Sequence, residues 1–268
     1  MIYSLTKWRS IESAGKLRSQ VRPHAITCPL QINKAQQLSI IILTLLDDRS
    51  TITQMARREV RSAILEKGAQ IIHKKGFNHT GIQEILDAAG VPKGSFYHYF
   101  KSKEDFGLKL LDYYAAYFIN RADSQMKDKN GPPIKRLKDF FDGFLFLFES
   151  NGCELGCPIG NLSQEMGDLS PAFRKRLEEI FVMMRSRIEE VLSDALRGGD
   201  LPGSLNAHEM ADFIINSWEG AIVRMKVQKN TEALRLFDRM IFDGILKSTT
   251  IHTKGGIGNG KRRKAKSN

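Results

Sequence analysis

From Met55 to Leu246 the apolar residues of this chain recur three and four apart, and no convincing run alternates apolar with polar side chains. That spacing gathers side chains on one face of a 3.6-residue helix, whereas strands would need a period of two. The expectation is an all-α fold of about nine helices. In "MARREVRSAILEKGAQIIHKKG", Ile64, Leu65, Ala69, Ile71 and Ile72 form the first apolar face, and Gly76 ends it. Thr80, with Gln83 three residues on, reads as a capping box for a short second helix. Its face is Ile82, Ile85, Leu86 and Ala89, and Gly90 stops it. The pattern Ser102-Lys-Glu-Asp105 caps a long helix through "FGLKLLDYYAAYFINRA". Five further helical segments follow: 134–149, a short piece after Cys157, 172–196, 207–226 and 232–246. Their boundaries fall at Pro132-Pro133, Cys157-Pro158, Ser170-Pro171, Asn206 with Glu209, and Thr231.

Charge divides the chain. Of the formal net charge of +11, residues 1–54 carry +4, residues 55–109 +4, residues 110–246 −4 and residues 247–268 +7. A basic front and tail around an acidic body point to a polyanion partner at one end, although a solvated surface with a basic tail would read the same. Residues 1–54 show no sustained helical period and are broken by Pro23 and Pro29, so they read as an unstructured extension, with Met55 as the working start. The run "LSIIILTLL" has nine residues, far short of the ~20 that span a membrane. Three cysteines, Cys28, Cys153 and Cys157, are too few and too odd for a disulfide framework, which together with the lack of a secretory signal suggests a reducing cytoplasm. The tail, residues 249–268, is Gly-broken and basic and reads as disordered.

The stretch "GVPKGSFYHYF", Gly90 to Phe100, crowds four aromatic rings behind a turn in a chain with 9% aromatics. A short helix, a Gly-containing turn and a second short helix make a helix-turn-helix, whose second helix enters the DNA major groove. Lys93 can reach a phosphate or a guanine edge. Gly94 lets the backbone approach closely, and Ser95 can bond a phosphate or base. Tyr97, His98 and Tyr99 present polar tips to phosphates, while Phe96 and Phe100 face inward on Ile82, Ile85 and Leu86. Lys101 and Lys103 add charge beside the backbone. The competing reading, one small aromatic core, leaves the succession of polar tips beside the lysines without a purpose.

These residues carry a resemblance. Residues 57–110, with "ILEKGAQIIHKKGFNHTGIQEILDAAGV" and "PKGSFYHYFKSKEDF", resemble the N-terminal domain of the tetracycline-repressor (TetR) family almost position by position. Pro92 departs from the pattern, since small polar residues are common there. The resemblance implies a homodimer whose two recognition helices, ~35 Å apart, read a palindromic operator in double-stranded DNA. It implies a DNA-binding domain over 55–103 and an effector-binding and dimerisation domain over 104–248. It implies DNA contacts at Thr80, Lys93, Gly94, Ser95, Tyr97, His98, Tyr99 and Lys103, and release by a small-molecule inducer. No cofactor, metal or enzymatic activity is expected.

In the C-terminal half, Phe140, Phe141, Phe144, Leu145 and Phe148 form a stripe that reads as core or as a pocket wall. By resemblance, the last two helices pair with their symmetry mates through Phe213, Ala221, Ile222, Met225, Leu234, Phe237 and Ile241, a face that intramolecular packing could equally use. Trp218 lies among them. Cys157 precedes Pro158, a first-turn proline, so its sulfur stands at a helix N-terminus, where a thiol is expected to be more acidic; the alternative is an inert, buried filler. Cys153 lies four residues earlier. "GCPIGNLSQE" resembles a subgroup of the family that includes the N-ethylmaleimide-reductase repressor, which implies sensing of electrophiles or oxidants at Cys157. Lys226 is a candidate cationic neighbour, though nothing in the sequence brings it there. The leading reading is a transcriptional repressor released by a reversible ligand or a reactive electrophile. Two others stand beside it: a sequence-indifferent architectural DNA binder and a thiol enzyme built on Cys157.

Overall fold

The computed structural model describes residues 34–127 and 131–247, with side chains from residue 51 onward. Of the extension 1–54 expected to be unstructured, residues 1–33 lie outside the described residues, as does the basic tail 249–268, while residues 34–54 are helical. Among those described there are nine helices and no strand. They are α1 (Lys34–Lys75), α2 (Ile82–Ala89), α3 (a 3₁₀ turn Lys93–Ser95 running into Phe96–Tyr99), α4 (Lys103–Met126), α5 (Pro133–Ser150), α6 (Pro158–Met166), α7 (Pro171–Gly198), α8 (Ala207–Gln228) and α9 (Glu232–Asp238). None is long and apolar enough to cross a membrane.

The first helix begins at Lys34, upstream of the Met55 start read from the sequence. From Lys34 to Lys67 no Pro or Gly interrupts the chain, so no helix breaker stands in the way of a helix that starts upstream of Met55. Residues 51–59 are all exposed, which is why no amphipathic period marks this stretch.

Two units divide the chain, at Tyr113 and Tyr114. The N-terminal unit is organised by Phe96, Phe100 and Phe106, all fully buried with ring centroids 5.0–5.8 Å apart. Ile64, Ile85 and Leu86 complete this core. Each such side chain contributes about 1.5–3 kcal/mol by leaving water. The Ser102 cap holds: the Asp105 N–H donates to Ser102 Oγ at 3.0 Å, and the Lys101 N–H donates to Asp105 Oδ2 at 3.0 Å.

The capping box expected for α2 does not form. Gly81 is its N-cap, Gln83 donates to Asp87, and the Thr80 hydroxyl donates back to the Gly76 carbonyl at 2.7 Å. Thr80 closes the turn leaving α1 instead of capping the helix ahead.

In the C-terminal unit the predicted caps Ser170 and Asn206 accept from Phe173 and from His208 and Glu209. Thr231 is the N-cap, as its place before Glu232 implied, but its side chain makes no cap hydrogen bond: its hydroxyl donates to Glu149, and Asn230 accepts from the Glu232 N–H. The segment expected as one helix over 232–246 is α-helical only to Asp238. It then widens into a π turn, Arg239–Ile245. The wider coil lets Phe237, Ile241, Phe242 and Leu246 all turn inward.

Candidate DNA interface and effector site

The α2–α3 turn is built by a left-handed Gly90 (φ 67°), whose N–H donates to Asp87, while Val91 N–H donates to Leu86. This pairing ends a helix sharply and needs a residue without a Cβ penalty. Pro92 then starts the 3₁₀ turn, its carbonyl accepting from the Ser95 N–H at 2.9 Å. Eight residues follow, Lys93 to Phe100, with strictly divided faces. Phe96 and Phe100 point inward, whereas Tyr97 is 68% exposed and Lys93, Gly94 and His98 lie in solvent. Ser95 and Tyr99 are half-buried at the edge, and Lys101 is exposed just beyond. A Cβ added to Gly94 would meet open space, so nothing inside the protein requires glycine there.

Two predicted contacts are used differently. Thr80 is 1% exposed and its hydroxyl is taken by Gly76, so its side chain faces the interior. Lys103 lays its ammonium 4.8 Å over the Phe77 ring and 3.5 Å from the Asn78 carbonyl, bracing the turn before α2. Three residues absent from the sequence reading flank α3. Arg57, Arg58 and Arg61 of α1, with Gln54, line one cleft with His98 and Tyr99 of α3. Their signal was present as "ARREVR", but it lies outside the helix-turn-helix.

The C-terminal unit contains a second cluster. After α5 the chain passes through Gly152 (φ 67°), Cys153 (φ 58°), Leu155 (φ 69°) and Gly156 (φ 70°). Left-handed backbone at the two non-glycine positions costs on the order of 1–3 kcal/mol each, and such strain concentrates at functional loops. Cys153 is buried and its N–H donates to the Phe148 carbonyl. Both thiols are free.

Cys157 is the N-cap of α6, as its place before Pro158 implied, and its Sγ accepts from the Gly160 N–H at 3.4 Å. The expected gain in acidity is reversed. Burial of the thiol and the adjacent Glu219 carboxylate, to which the S–H donates, push it well above the ordinary thiol value; the Gly160 and Ile159 N–H groups pull the other way and lose. Burial also raises the Glu219 carboxyl, with the Cys157 hydrogen bond opposing. Glu219 Oε1 is buried without a hydrogen-bond partner. Glu219 fits because Gly160 has no side chain; a Cβ there would run into its Oε2.

Lys226, two turns further along α8, does reach the loop. Its Nζ donates to Asn161 Oδ1 at 2.8 Å, while Asn161 Nδ2 donates to the Leu155 carbonyl at 2.8 Å. Sequence reasoning missed Glu219 and Asn161 because each acts only across a helix–helix contact.

The aromatic stripe is core. Phe118, Phe140 and Phe144 interlock, and Phe141 joins Trp218 and Phe237 at 4.9–5.2 Å. Phe144, Phe148 and Trp218 are buried against such neighbours, so the pocket-wall reading gives way to packing. Of the expected dimer residues, Ile222, Met225 and Leu234 are likewise buried inside the protomer. Phe213 is 50% exposed and lines an apolar groove with Ala221, Leu236, Phe237, Met240 and Ile241. Leu236 and Met240, at 53% and 56%, are the exposed members on α9's side.

Comparison with known proteins fits this two-part architecture. The model for bacterial regulatory proteins of the tetR family matches residues 64–108, and the tetracyclin repressor-like C-terminal domain matches residues 133–241. The chain belongs to the TetR family. Among curated TetR relatives it is 36% identical over 195 residues to the HTH-type transcriptional repressor DhaR of Mycobacterium sp. (strain GP1), covering 73% of this chain and 96% of DhaR. It is 36% identical over 177 residues to the transcriptional regulator AcuR of Cereibacter sphaeroides, covering 66% and 81%. The reduced form of E. coli NemR superposes with a TM-score of 0.65 at 30% identity, covering 69% of this chain and 96% of that one. The TetR resemblance read from the sequence therefore holds, and with it the all-α fold and a role as a DNA-binding transcriptional regulator, not an enzyme.

Proposed function

We propose that this TetR-family regulator represses transcription as a homodimer on a palindromic operator and is released by a reactive electrophile. The observation that carries operator reading is the division of α3: Phe96 and Phe100 anchor the helix while Tyr97 and His98, beside Lys93 and Gly94, stand in solvent. Anchoring from within fixes the angle at which the polar tips meet a major groove, and open space at Gly94 allows backbone close to DNA. Lys93, Ser95, Tyr97, His98, Tyr99 and Lys101 are the proposed contacts, and Lys103 adds positive potential beside them. The dimer forms through the groove of Phe213, Leu236 and Met240, where exposed apolar side chains from α8 and α9 meet a second copy.

Selection from random duplexes tests this reading. Recovery of a palindrome that survives competitor DNA supports it, and recovery of no preferred sequence overturns it in favour of an architectural binder. For the dimer, Leu236→Asp with Met240→Asp should yield monomers by sedimentation with the helical signal retained.

Release begins at Cys157. Burial and Glu219 hold Cys157 as the thiol, so reaction runs through its minor thiolate: water takes the thiol proton, the thiolate attacks the activated carbon of an α,β-unsaturated carbonyl, the S–C bond forms, the C=C π pair moves to the neighbouring carbon, and water returns a proton there. Glu219 and Lys226 lie on the face of α8 turned away from the dimer groove, about 100–180° around the helix from the groove residues at 100° per residue. A group added to Sγ displaces Glu219, so its effect enters the helix that forms the dimer. A coupling of about 1–3 kcal/mol weakens operator binding roughly five- to 150-fold. Operator complexes should dissociate on treatment with N-ethylmaleimide in the wild type and persist in Cys157→Ser. Release in both would place the sensor elsewhere.

A further inference from the structure

Arg57, Arg58 and Arg61 occupy a part of α1 that the helix-turn-helix does not include. At 100° per residue, Gln54, Arg57, Arg58 and Arg61 fall within about 100° of arc, with Glu59 on the other side of the helix. All four are exposed, and they line a single cleft with His98 and Tyr99 of α3. None of the three guanidinium groups has a carboxylate partner among the described residues. Arg61 is steered by the Phe100 ring, 5.8 Å from its guanidinium carbon. Three uncompensated arginines on one wall repel one another unless an anion lies between them, and the second wall of the cleft is the helix proposed to read DNA.

We propose that this face of α1 is a second DNA contact, in which Arg57, Arg58 and Arg61 neutralise operator phosphates adjoining the base pairs read by α3. The proposal rests on the operator reading above. The same duplex fills both walls: α3 enters the groove, and the arginines meet the backbone along its rim. Planar guanidinium forks suit phosphate oxygens, and such contacts position the protein without reading sequence. The open cleft between His98, Tyr99 and the arginines is the space a phosphate strand would occupy.

The test uses the full chain, the duplex recovered by selection and a scrambled duplex. Operator affinity is measured across a salt series for the wild type and for the triple variant Arg57→Gln/Arg58→Gln/Arg61→Gln. The slope of log affinity against log salt should become shallower by about 0.9 for each phosphate no longer neutralised, so by roughly five for the six or so arginines of a dimer. Affinity for operator and scrambled DNA should fall together, leaving their ratio unchanged. The all-lysine triple variant should keep most of the wild-type slope. A glutamine variant with wild-type slope, in a protein that still prefers its operator, overturns the proposal. A change in the operator-to-scrambled ratio does so too, since it would make the arginines readers of bases. If the wild type itself does not distinguish the two duplexes, it is the operator reading that fails.

Discussion

Lys226 Nζ lies 2.8 Å from Asn161 Oδ1, joining α8 to the first turn of α6 across 65 residues of chain. Its aliphatic stem covers Gly156, where a Cβ would sit 2.7 Å from Lys226 Cδ and 3.1 Å from Ile222 Cγ2. The strained loop ahead of Cys157 is thus held against the same helix that carries Glu219.

Gly156→Ala should destabilise the C-terminal unit. The backbone there is left-handed, which costs an L-residue about 1–2 kcal/mol, and the new methyl group meets Ile222 as well as the yielding lysine. For a chain of this size the melting temperature should drop by roughly 2–8 °C. An unchanged melting point would mean that the loop relaxes freely.

Glu219→Gln should make Cys157 more reactive and shift its pH profile downward. Removing the carboxylate charge leaves burial opposed by the Gly160 and Ile159 N–H groups. Each unit of lowered thiol pKa raises the thiolate population tenfold and cuts its nucleophilicity about threefold, a net gain of about threefold near neutral pH. The maleimide rate, read at Cys157 by peptide mass spectrometry, checks this, and an unchanged rate would exclude Glu219 as the restraint.

The same substitution should also alter stability with a definite sign. Glu219 is raised above its ordinary value of 4.5, so the native state holds its proton more tightly than the unfolded chain. That contribution is complete below the unfolded pKa and is lost as pH rises through the folded one. Glu219→Gln should therefore match the wild type in acid and gain on it progressively above about pH 4.5. Melting curves from pH 4 to 8, as a rough span, would show it; a gap that is constant across the series would not fit.

Gly68→Ala should weaken the N-terminal unit although alanine favours helix. Gly68 is buried within α1, and a Cβ there would collide with Phe106, itself fully buried beside Phe96 and Phe100. Overpacking of this kind costs about 1–3 kcal/mol, against a helix-propensity gain of about 1. Circular dichroism melts and operator affinity should fall together.

Tyr97→Ala and Phe96→Ala should separate contact from support. Tyr97 is exposed and meets the Phe96 ring edge-on at 5.4 Å, so its loss should reduce operator affinity by about five- to 150-fold with the melting point unchanged. Phe96→Ala removes a fully buried ring and should cost about 3–5 kcal/mol of stability.

Much of the fold was legible because it is written locally. Gly90, Ser102, Ser170 and Asn206 each act on backbone groups within five residues, so spacing alone places helix ends. The inward Phe96 and Phe100 followed from the same reasoning. Thr80 was misread, and Thr231 stands at the right place without capping through its side chain, because a hydroxyl at a helix start has several partners within reach, and here Gly76 and Glu149 took them. Residues 51–59 of α1 left no signal because they are exposed and bury no face.

Local hydrogen bonding and helical periodicity thus let the sequence by itself determine the all-α class, the order and ends of most helices, and the turn that presents α3. What each side chain does depends on partners from distant segments, and only the tertiary structure decided that. It set Glu219 against Cys157 and reversed the acidity that a helix N-terminus alone would impart. It brought Lys226 to Asn161, buried Ile222, Met225 and Leu234 inside the protomer, and placed the α1 arginines opposite His98 and Tyr99. Burial and charge are properties of a neighbourhood, and the neighbourhood exists only once the helices have packed.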